Sequence, residues 1–478
     1  MNTNALYSIY RRCNGQVTTD TRTLKGGELF FALKGENFDG NEYALKALES
    51  GAAFAVVDAT SKVASLATPQ PSADVPDYVW TPEGECRIIP VENTLKALQD
   101  LARWHRSVTF VDGKPLTVIA LTGTNGKTTT KELIRQVLSV KYNVTATEGN
   151  LNNNIGVPLT LLKINEKTQI AVIEMGASHP GDINELVEIA LPNFGLITNV
   201  GKAHLLGFGS FEGVMKTKGE LYDYLRRTAD RVFLNADNPY LCKMAADRNL
   251  HTDPERPHSL VQPYGVDYQH ATILTASPEH PFLRIRIPDG KGGEVPVDTK
   301  LAGAYNADNV MAAIAVGRYF GVSLEDAAKA VESYVPSNNR SQMTRTGKNL
   351  LIVDAYNANP TSMAAALDNF ASVQADRKVA LLGDMLELGT ESVAEHVIVA
   401  SKVLGLGVHK VCFVGQEFGK ALDSMKAEGS GLLEMALWKH FDSSDQLKAY
   451  LEEEPLTDAV VLVKGSRGTR MEKTIPAL

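Results

Sequence analysis

Apolar runs of strand length alternate with helical patterns through most of this chain. In its middle part the runs are LTVIAL, QIAVIEM, GLITNV and RVFLNAD, each with a polar turn and a helical pattern behind it. Because strands that are apolar throughout must be covered on both faces, this alternation predicts a parallel sheet between layers of helices. A smaller Rossmann-like sheet towards the C-terminus is predicted by a second series, NLLIVDA, KVALLGD, HKVCFVG and AVVLVKG.

The stretch TGTNGKTTT, residues 122–130, follows the first of these runs and opens a helical pattern. It ends like a phosphate-binding P-loop, but the usual P-loop has a glycine where this chain has Leu121, and the nearest earlier glycine is Gly123. Backbone N–H groups at such a loop and at a helix N-terminus attract phosphate oxygens, and Lys127 adds a positive charge. A strand before the loop and a helix after it are the context that P-loops require, so we interpret it as a phosphate-binding loop.

Other polar residues are expected at the same edge of the central sheet, since ligands bind beyond the carboxyl ends of parallel strands. Glu174 ends one apolar run, and Gly201, Lys202 and His204 follow another. Hydroxyl and carboxylate oxygens suit Mg²⁺, which makes Thr128 and Glu174 candidate ligands. A lysine, a hydroxyl, an acid and a histidine together predict a phosphate-and-magnesium site. His204 by itself is equally compatible with a structural role.

The segment GNLNNNIGVP, residues 149–158, allows two interpretations. Asn152, Asn153 and Asn154 are suited to stabilising a turn, because asparagine side chains hydrogen-bond to nearby backbone. They are equally suited to hydrogen-bonding a polar substrate. The pattern alone does not separate these two roles.

Composition excludes several classes of function. The net charge of −8 and the pI of about 5.8 argue against a nucleic-acid partner held by a basic surface. The four cysteines are scattered, which predicts free thiols in a reducing compartment. The N-terminal MNTNALYSIYRR lacks the apolar run of a signal peptide, and no stretch approaches the roughly 20 apolar residues of a membrane span. We therefore expect a cytoplasmic protein.

Because 478 residues are too many for one hydrophobic core, we expect two to four domains, and the patterns along the chain separate three. The expected fold class is α/β: a mixed α/β N-terminal domain over residues 1–112, a central P-loop parallel-sheet domain over 113–336, and a C-terminal Rossmann-like domain over 337–478. In the first domain ELFFAL and AAFAVVD are predicted strands, residues 59–90 loops and short strands, and NTLKALQDLARWHR a helix. Between residues 259 and 300, shorter runs such as PFLRIRI predict a small antiparallel addition, followed by helices over about 305–320 and 323–334.

Several motifs together resemble the Mur ligases, a family that builds the peptide stem of bacterial cell-wall precursors. TGTNGKTTT resembles the family's ATP loop, in which the position of Gly123 is the normal one. DTRTLKGGELFFALKGENFDGNEY resembles the family's UDP-substrate domain, and VIEMGAS, NVGKAHLLGFGS and KTKGE resemble its metal and lysine motifs. The ribose-side, C-terminal and closing signatures are matched by VDAYNANPTSM, LLGDMLELG and VLVKGSRGTRME. The resemblance covers nearly the whole chain.

The resemblance implies an ATP-dependent amide ligase, with DAYNANP and GDMLELG as the motifs that discriminate among its members. The implied substrates are UDP-N-acetylmuramoyl-tripeptide and D-alanyl-D-alanine, with ATP and Mg²⁺. ATP would phosphorylate the terminal carboxylate of the tripeptide, and the amine of D-alanyl-D-alanine would attack the acyl phosphate. The enzyme would act chiefly by positioning and charge neutralisation, with domain closure. We expect a monomer in the bacterial cytoplasm.

The resemblance also implies roles at the nucleotide and the metal. The catalytic residues would be Lys127, Lys218, His204 and Arg340. ATP would be held by Gly123, Thr124, Asn125, Gly126, Lys127, Thr128, Thr129, Asn306, Asn309, Arg340 and Asp354. The implied magnesium ligands are Thr128, Glu174, His204 and Lys218. Lys218 stands in a helical pattern, where a lysine is ordinarily a solvated surface charge, but KTKGE resembles the segment whose lysine is carbamylated in this family. A carbamate is an anion whose oxygens suit Mg²⁺.

Further roles concern the other two substrates. The UDP-sugar peptide would be held in the first domain by Thr19, Asp20, Arg22, Lys34, Asp39 and Gly40. Additional substrate-binding residues would be Asn152, Asn153, Tyr356, Asn357 and Asn359. The incoming amine would face Lys464, Ser466 and Arg467. As alternatives, Asn306 and Asn309 are suited to capping a helix, and KGSR to a basic surface turn.

Two other functions compete with this interpretation. The first is another ligase of the same fold, such as folylpolyglutamate synthase or a sister Mur ligase, and the DTR…GENFDG segment argues against the folate enzyme. The second is a P-loop switch or transport NTPase, which the lack of an N-K-x-D guanine motif disfavours. Whether lysine or diaminopimelate is the third residue of the tripeptide is left open by these motifs.

Overall fold

The structure, a computed structural model, describes residues 2–67, 76–228, 230–250, 260–277, 280–336, 340, 342–435 and 437–478. The chain forms two compact units. The first unit comprises residues 1–121, 142–176 and 182–195, and the second comprises 122–141, 177–181 and 196–478. The predicted start of the C-terminal domain, residue 337, lies outside the described residues.

The first unit contains a four-stranded parallel sheet. Its strands, in spatial order, are Val17–Thr18, Leu29–Phe31, Phe54–Asp58 and Ile88–Val91. The predicted strands in ELFFAL and AAFAVVD are thereby confirmed. The predicted helix in NTLKALQDLARWHR forms as Thr94–Ser107, where the side chain of Asn93 caps the N-terminus by accepting the N–H of Lys96 at 2.8 Å. Of the segment predicted as loops and short strands, residues 68–75 lie outside the described residues.

Three further strands of the first unit pair in parallel. Ile170–Glu174 pairs with Thr117–Thr122 on one side and with Val144–Ala146 on the other, and Leu121 lies opposite Glu174. Every residue of Ile170–Glu174 is buried, as expected for a strand covered on both faces. The remaining elements of this unit are the helices Thr3–Arg12, Ala44–Glu49, Gly156–Leu161 and Asp182–Ala190 and the short strands Phe110–Val111 and Lys114–Pro115. The predicted strand in GLITNV forms as Phe194–Ile197, at the point where the chain passes into the second unit.

The second unit begins with the helix that follows the predicted phosphate loop. Its strands Arg231–Asn235 and Val261–Tyr264 are parallel, and Thr272–Leu274, Arg284–Pro288 and Glu294–Asp298 form the predicted antiparallel addition. The helices of this part are Lys127–Leu138, Leu205–Phe208, Phe211–Thr228, Pro239–Ala246, Ala307–Tyr319 and Leu324–Ser333. Lys127–Leu138 packs against Ala307–Tyr319.

The last part of the second unit is a six-stranded sheet. Its order is Gln342–Arg345, Leu350–Asp354, Val460–Lys464, Lys378–Gly383, Lys410–Val414 and Leu437–Phe441, and only the first pairing is antiparallel. Successive residues of a strand, such as Leu351 and Ile352, point to opposite faces and enter different apolar clusters. These faces are covered by the helices Pro360–Ser372, Ser392–Leu404, Gln416–Ala427 and Ser444–Glu453. The predicted Rossmann-like layering is therefore confirmed.

Two predictions from composition concern the whole chain. No disulfide joins the four cysteines, as expected from their scattered positions. Among the described residues, no helix combines the length and the apolar character that crossing a membrane requires.

Asn349 fastens the C-terminal residue to the last sheet. Its buried side-chain amide donates to the carbonyl oxygens of Leu456 and Leu478, both at 2.8 Å, and accepts the N–H of Ala459 at 3.2 Å. Because Asn349→Ala removes buried partners of three backbone groups, we expect the free energy of unfolding to fall by about 2–4 kcal/mol. The midpoint of urea unfolding measures this. Lys348→Ala, at the exposed neighbouring position, should leave the midpoint unchanged, and an unshifted Asn349→Ala midpoint would contradict the assignment.

Candidate active site

The two glycines of the TGTNGK loop are required by its geometry. Gly123 has a φ of 146°, and a Cβ atom there would lie 2.0 Å from Thr198 Oγ1. Gly126 has a φ of 76°, and a Cβ atom there would lie 2.5 Å from Asn309 Oδ1. Both positions combine left-handed backbone with close packing, which only glycine tolerates. The loop is therefore a complete, shorter structure and not a damaged P-loop.

Lys127 is the first residue of the helix that leaves the loop. Its Nζ donates to the carbonyl oxygens of Gly123 at 2.8 Å and Thr124 at 3.0 Å, which holds the ammonium group against the loop. Thr128 and Thr129 are buried in the first turn of the same helix. The predicted cation, the hydroxyl and the helix N-terminus are thus brought together.

Asn199, which was not a predicted site residue, holds the backbone of the loop through hydrogen bonds. Asn199 accepts the N–H of Thr124 on its backbone oxygen and the N–H of Asn125 on its Oδ1, both at 2.9 Å. The sequence signals for Asn199 were its place near the end of the GLITNV run and at the start of the NVGKAHLLGFGS motif. Its contacts fix the backbone on which the predicted ATP residues stand.

Asn306 and Asn309 form a buried amide chain behind the loop. Thr130 Oγ1 donates to Asn309 Oδ1, and Asn309 Nδ2 donates to Asn306 Oδ1, both at 2.9 Å. Asn306 Nδ2 in turn donates to Ala302 O at 2.8 Å. Asn306 occupies the N-cap position of Ala307–Tyr319 but its side chain makes no cap hydrogen bond, so the helix-cap alternative is not what these side chains do.

His204 lies among charged groups of the second unit. Its backbone is left-handed, with a φ of 49°, and its Nδ1 contacts Glu387 Oε2. Burial lowers the pKa of His204; Glu387 opposes this shift, while Lys127 and Lys218 reinforce it. The Phe208 ring connects two of these predicted residues: its centroid lies 6.3 Å from that of His204 and 5.4 Å from Lys218 Nζ. Glu387, in the LLGDMLELG motif, was not predicted as a site residue.

Lys218 is buried in the helix Phe211–Thr228. Its side chain is 2% exposed in relative terms, its Nζ donates to Ala177 O at 3.5 Å, and it lies 5.4 Å from the centre of the Phe208 ring. The alternative of a solvated surface lysine is therefore wrong. A cation that is removed from water in this way requires hydrogen-bonding or charged partners around it.

Glu174, in the first unit, is also buried, with 1% of its surface exposed. Its Oε1 accepts from Asn152 Nδ2 at 2.8 Å, and its backbone N–H donates to Thr147 Oγ1 at 2.9 Å. Asn153 instead accepts the backbone N–H of Gly156 at 2.9 Å. The two interpretations of the asparagine run thus apply to different members: Asn153 stabilises a turn, whereas Asn152 orients a carboxylate.

The residues predicted to hold the UDP-sugar peptide lie in two loops of the first unit. One loop carries Thr19, Asp20 and Arg22, and the other carries Lys34, Asp39 and Gly40. Arg22 is 86% exposed and pairs with Asp20 at 2.6 Å, and its hydrogen bond lowers the pKa of Asp20 to about 2. Asp39 caps a short helix by accepting the N–H of Asn41 at 2.9 Å.

Two strand ends of the last sheet carry an ion pair. Asp354 and Lys464 are register partners on adjacent parallel strands, with 2.5 Å between Oδ2 and Nζ, and Lys464 is fully buried. Ser466 is buried as well, and its Oγ donates to Ala358 O at 3.2 Å. Arg467 is exposed. The alternative of a basic surface turn therefore fails for Lys464 and Ser466.

Two guanidinium groups lie near the ring of Tyr356. Arg340 stacks over its ring at 3.6 Å from the centroid, and Arg467 lies 5.8 Å from the same centroid. Stacking on an aromatic face orients an arginine through cation–π attraction. Asn357, the next residue, is exposed.

The side chains of Asn125 and Asn359 are hydrogen-bonded to each other, although the resemblance assigns Asn125 to ATP and Asn359 to the substrate. Asn359 Nδ2 donates to Asn125 Oδ1 at 2.8 Å, and Asn359 also forms the capping box of the helix Pro360–Ser372. The contact joins the phosphate loop to a helix of the last sheet. No local pattern could have indicated it, because the two residues are 234 positions apart.

Comparison with known proteins decides the family. Residues 15–106, 121–317 and 339–467 match the models of the Mur ligase family catalytic domain, the Mur ligase middle domain and the Mur ligase glutamate ligase domain. The UDP-N-acetylmuramoyl-tripeptide–D-alanyl-D-alanine ligase of Bacillus subtilis (strain 168) is 35% identical over 473 residues, covering 97% of this chain and 92% of that protein. This chain belongs to the Mur ligase family. The enzyme of the same name from Escherichia coli (strain K12) is 34% identical, with 97% of this chain and 93% of that protein covered.

Solved structures of Mur ligases share the fold. A crystal structure of MurF from Acinetobacter baumannii has a TM-score of 0.77 at 28% identity, covering 98% of this chain and 97% of that one. The MurF ligase of Thermotoga maritima in complex with ADP has a TM-score of 0.73 at 24% identity, covering 97% of this chain and 96% of that one. The predicted three-domain α/β fold class is confirmed. A folylpolyglutamate synthase of Mycobacterium tuberculosis, at 14% identity and a TM-score of 0.58, shares the fold alone.

The position of Lys127 generates a prediction for this Mur ligase. If its ammonium neutralises phosphate charge, Lys127→Ala should lower kcat at least about a hundredfold, as loss of a transition-state contact does elsewhere. Steady-state phosphate release measures the change. Lys141→Ala, at an exposed lysine beyond the end of the same helix, is the matched control and should retain activity. Near-normal turnover in a folded Lys127→Ala protein would reject the role.

Proposed function

We propose that this chain is the ATP-dependent ligase that joins D-alanyl-D-alanine to the terminal carboxylate of a UDP-N-acetylmuramoyl-tripeptide, in peptidoglycan precursor synthesis. The observation that carries the proposal is a phosphate loop of Mur ligase type with Lys127 held against it, together with His204 and the buried Lys218 on either side of Phe208 in the same unit. Full-length similarity to enzymes that bear this name supports the choice of substrates.

The reaction needs an activated carboxylate, because the oxide leaving group of a free carboxylate is poor. A carboxylate oxygen attacks the γ-phosphorus of ATP and ADP leaves. The amine of D-alanyl-D-alanine then attacks the acyl carbon, phosphate leaves, and the nitrogen loses a proton as the amide bond forms. The chain contributes position and charge: the loop and the helix N-terminus face phosphate oxygens, and Lys127 neutralises the charge in transfer. Arg340, held by the Tyr356 ring, is assigned to the γ-phosphate, and Asp354 to the ribose side.

Magnesium fits the oxygen donors assigned to it. The buried Thr128 hydroxyl and Glu174 carboxylate are hard ligands, and Mg²⁺ retains waters and phosphate oxygens in place of a cage made of protein alone. When bound, the ion offsets phosphate charge. His204 and a carbamylated Lys218 complete the assigned set.

The remaining assignments follow the family pattern. The loops with Asp20 and Asp39 hold the UDP-sugar peptide, Asn152 belongs to the substrate site, and Lys464, Ser466 and Arg467 face D-alanyl-D-alanine. Tyr356, Asn357 and Asn359 complete the substrate site, and the domains span residues 1–112, 113–336 and 337–478. The enzyme acts as a monomer in the bacterial cytoplasm. Light scattering of the purified protein tests the monomer.

Phosphate release tests the activity. We expect rapid release from ATP only when both the UDP-tripeptide and D-alanyl-D-alanine are present, with a pentapeptide product detected by mass spectrometry. The lysine and diaminopimelate tripeptides, assayed in parallel, identify the accepted third residue. Full-rate release from ATP alone would show a nucleotide switch or transport NTPase instead of a ligase.

Burial of Lys218 generates a second test of the site. Lys218→Ala should reduce kcat by at least about a hundredfold, because it removes the anionic ligand that carbamylation creates. Short carboxylic acids supplied in solution should partly restore activity by occupying the vacated position. Lys218→Arg should remain inactive, since a guanidinium group cannot take up CO₂.

Two outcomes decide this assignment. Lys216→Ala, at an exposed lysine of the same helix, should retain activity and controls for disturbance of the helix. Wild-type turnover in Lys218→Arg would show that carbamylation is not needed.

A further inference from the structure

The segment that carries His204, residues 201–208, packs into the apolar core on one face of the last sheet. Leu205 and Phe208 are buried in the same apolar cluster as Met385 and Leu388. Phe208 also lies edge-on to His204, with 6.3 Å between ring centroids. The imidazole is thus carried by a segment whose apolar anchors belong to the sheet of residues 342–478.

Backbone contacts hold the same segment. The N–H of Lys202 donates to Thr361 Oγ1 at 3.1 Å, and the N–H of Leu206 donates to Glu387 O at 3.2 Å. At Gly201 a Cβ atom would lie 2.5 Å from Thr361 Oγ1, so the approach of the segment to the helix Pro360–Ser372 is close. These contacts fix the backbone on both sides of His204.

An ion pair fastens the segment to the helix Ser392–Leu404. Lys202 Nζ lies 2.5 Å from Glu395 Oε1, with the two side chains 50% and 6% exposed. The hydrogen bond to Glu395 raises the pKa of Lys202, so the lysine remains charged. Because Glu395 is almost fully removed from water, leaving it without the lysine costs more than breaking a surface pair.

The other side of this connection reaches the proposed amine site. The N–H of Leu386 donates to Ser466 Oγ at 3.0 Å, and the N–H of Ser466 donates to Asp384 O at 3.1 Å. Glu387, the residue after Leu386, contacts His204. A continuous set of contacts therefore runs from Ser466 to the imidazole, and the same segment meets the phosphate loop where the N–H of Gly201 donates to Thr124 Oγ1 at 3.0 Å.

We propose that Lys202 and Glu395 are a positioning pair, which holds the His204 segment in register with Lys127 during phosphoryl transfer. The inference rests on the proposed function for its kinetic consequence. The pair acts through His204 and does not itself touch the nucleotide. Its loss should therefore lower kcat while the KM for ATP stays nearly constant. If Lys202 were a phosphate ligand instead, its loss would raise the KM for ATP and Glu395 would matter little.

Charge reversal tests the pairing. Lys202→Glu and Glu395→Lys should each lower kcat about tenfold, since contacting residues couple to this extent, and the KM for ATP should change less than about twofold. The double variant, with both charges exchanged, should recover at least about threefold over either single variant. Lys402→Glu is the matched control: Lys402 lies on the same helix as Glu395, the change breaks its ion pair with Asp368 of the helix Pro360–Ser372, and kcat should be unchanged.

A second readout does not need catalysis. Hydrogen–deuterium exchange over residues 201–208 should speed up in both single variants and slow again in the double variant, because anchored amides open less often. If Glu395→Lys fails to fold, Lys202→Glu and Glu395→Gln carry the same test, as the first changes a half-exposed side chain and the second keeps its shape.

The outcomes separate two failures. Wild-type protein that makes no amide product while exchange still responds to the swap would refute the proposed function and leave the structural pairing intact. Active wild-type protein whose double variant is no better than the worse single variant would overturn the positioning pair. A raised KM for ATP in Lys202→Glu, without an effect of Glu395→Gln, would make Lys202 a phosphate ligand and also overturn it.

Discussion

Strands that are buried on both faces leave room for polar chemistry only where they end. In the last sheet, neighbouring residues such as Leu351 and Ile352 enter separate apolar clusters, so neither face can carry a polar site. The polar groups are found at the ends instead: Glu174 closes one strand, and Asp354 and Lys464 close two adjacent ones. The phosphate loop likewise follows a strand end. The rest of the site depends on this constraint, because residues beyond the strands must supply hydrogen-bond or ion-pair partners for the polar side chains at the strand ends.

Those partners explain why so many of the polar contacts are buried and specific. Lys464 is matched by Asp354, and Glu174 accepts from Asn152. Removing an ion pair from water costs free energy that the attraction often does not recover, so such a pair is weak evidence for added stability. Its effect here is geometric: it joins the ends of two adjacent strands at register partners. Asn199 fixes the phosphate loop in the same way, through its hydrogen bonds to the N–H groups of Thr124 and Asn125.

Local patterns predicted the elements and the loop, because strand alternation, caps and glycine positions are properties of neighbouring residues. The predicted runs became Thr117–Thr122, Ile170–Glu174 and the strands of the last sheet. Burial of Lys218 was beyond such reasoning, since the atoms that cover it, from Ala177 and Phe208, come from other parts of the chain. The left-handed backbone of His204 and its contact with Glu387 were missed for the same reason: they depend on a segment of one sheet entering the core of another.

The charges around His204 show how the gathered groups act on one another. Burial, Lys127 and Lys218 all lower the pKa of the imidazole, against the opposing effect of Glu387. The balance favours the neutral ring at neutral pH, so positive charge for an anionic substrate comes from the lysines and not from the histidine. Conversion of Lys218 to a carbamate reverses one of these contributions, because an anion in its place attracts positive charge. The magnesium ion would supply that charge, since a neutral imidazole and a carbamate oxygen are the forms in which His204 and Lys218 can act as its ligands.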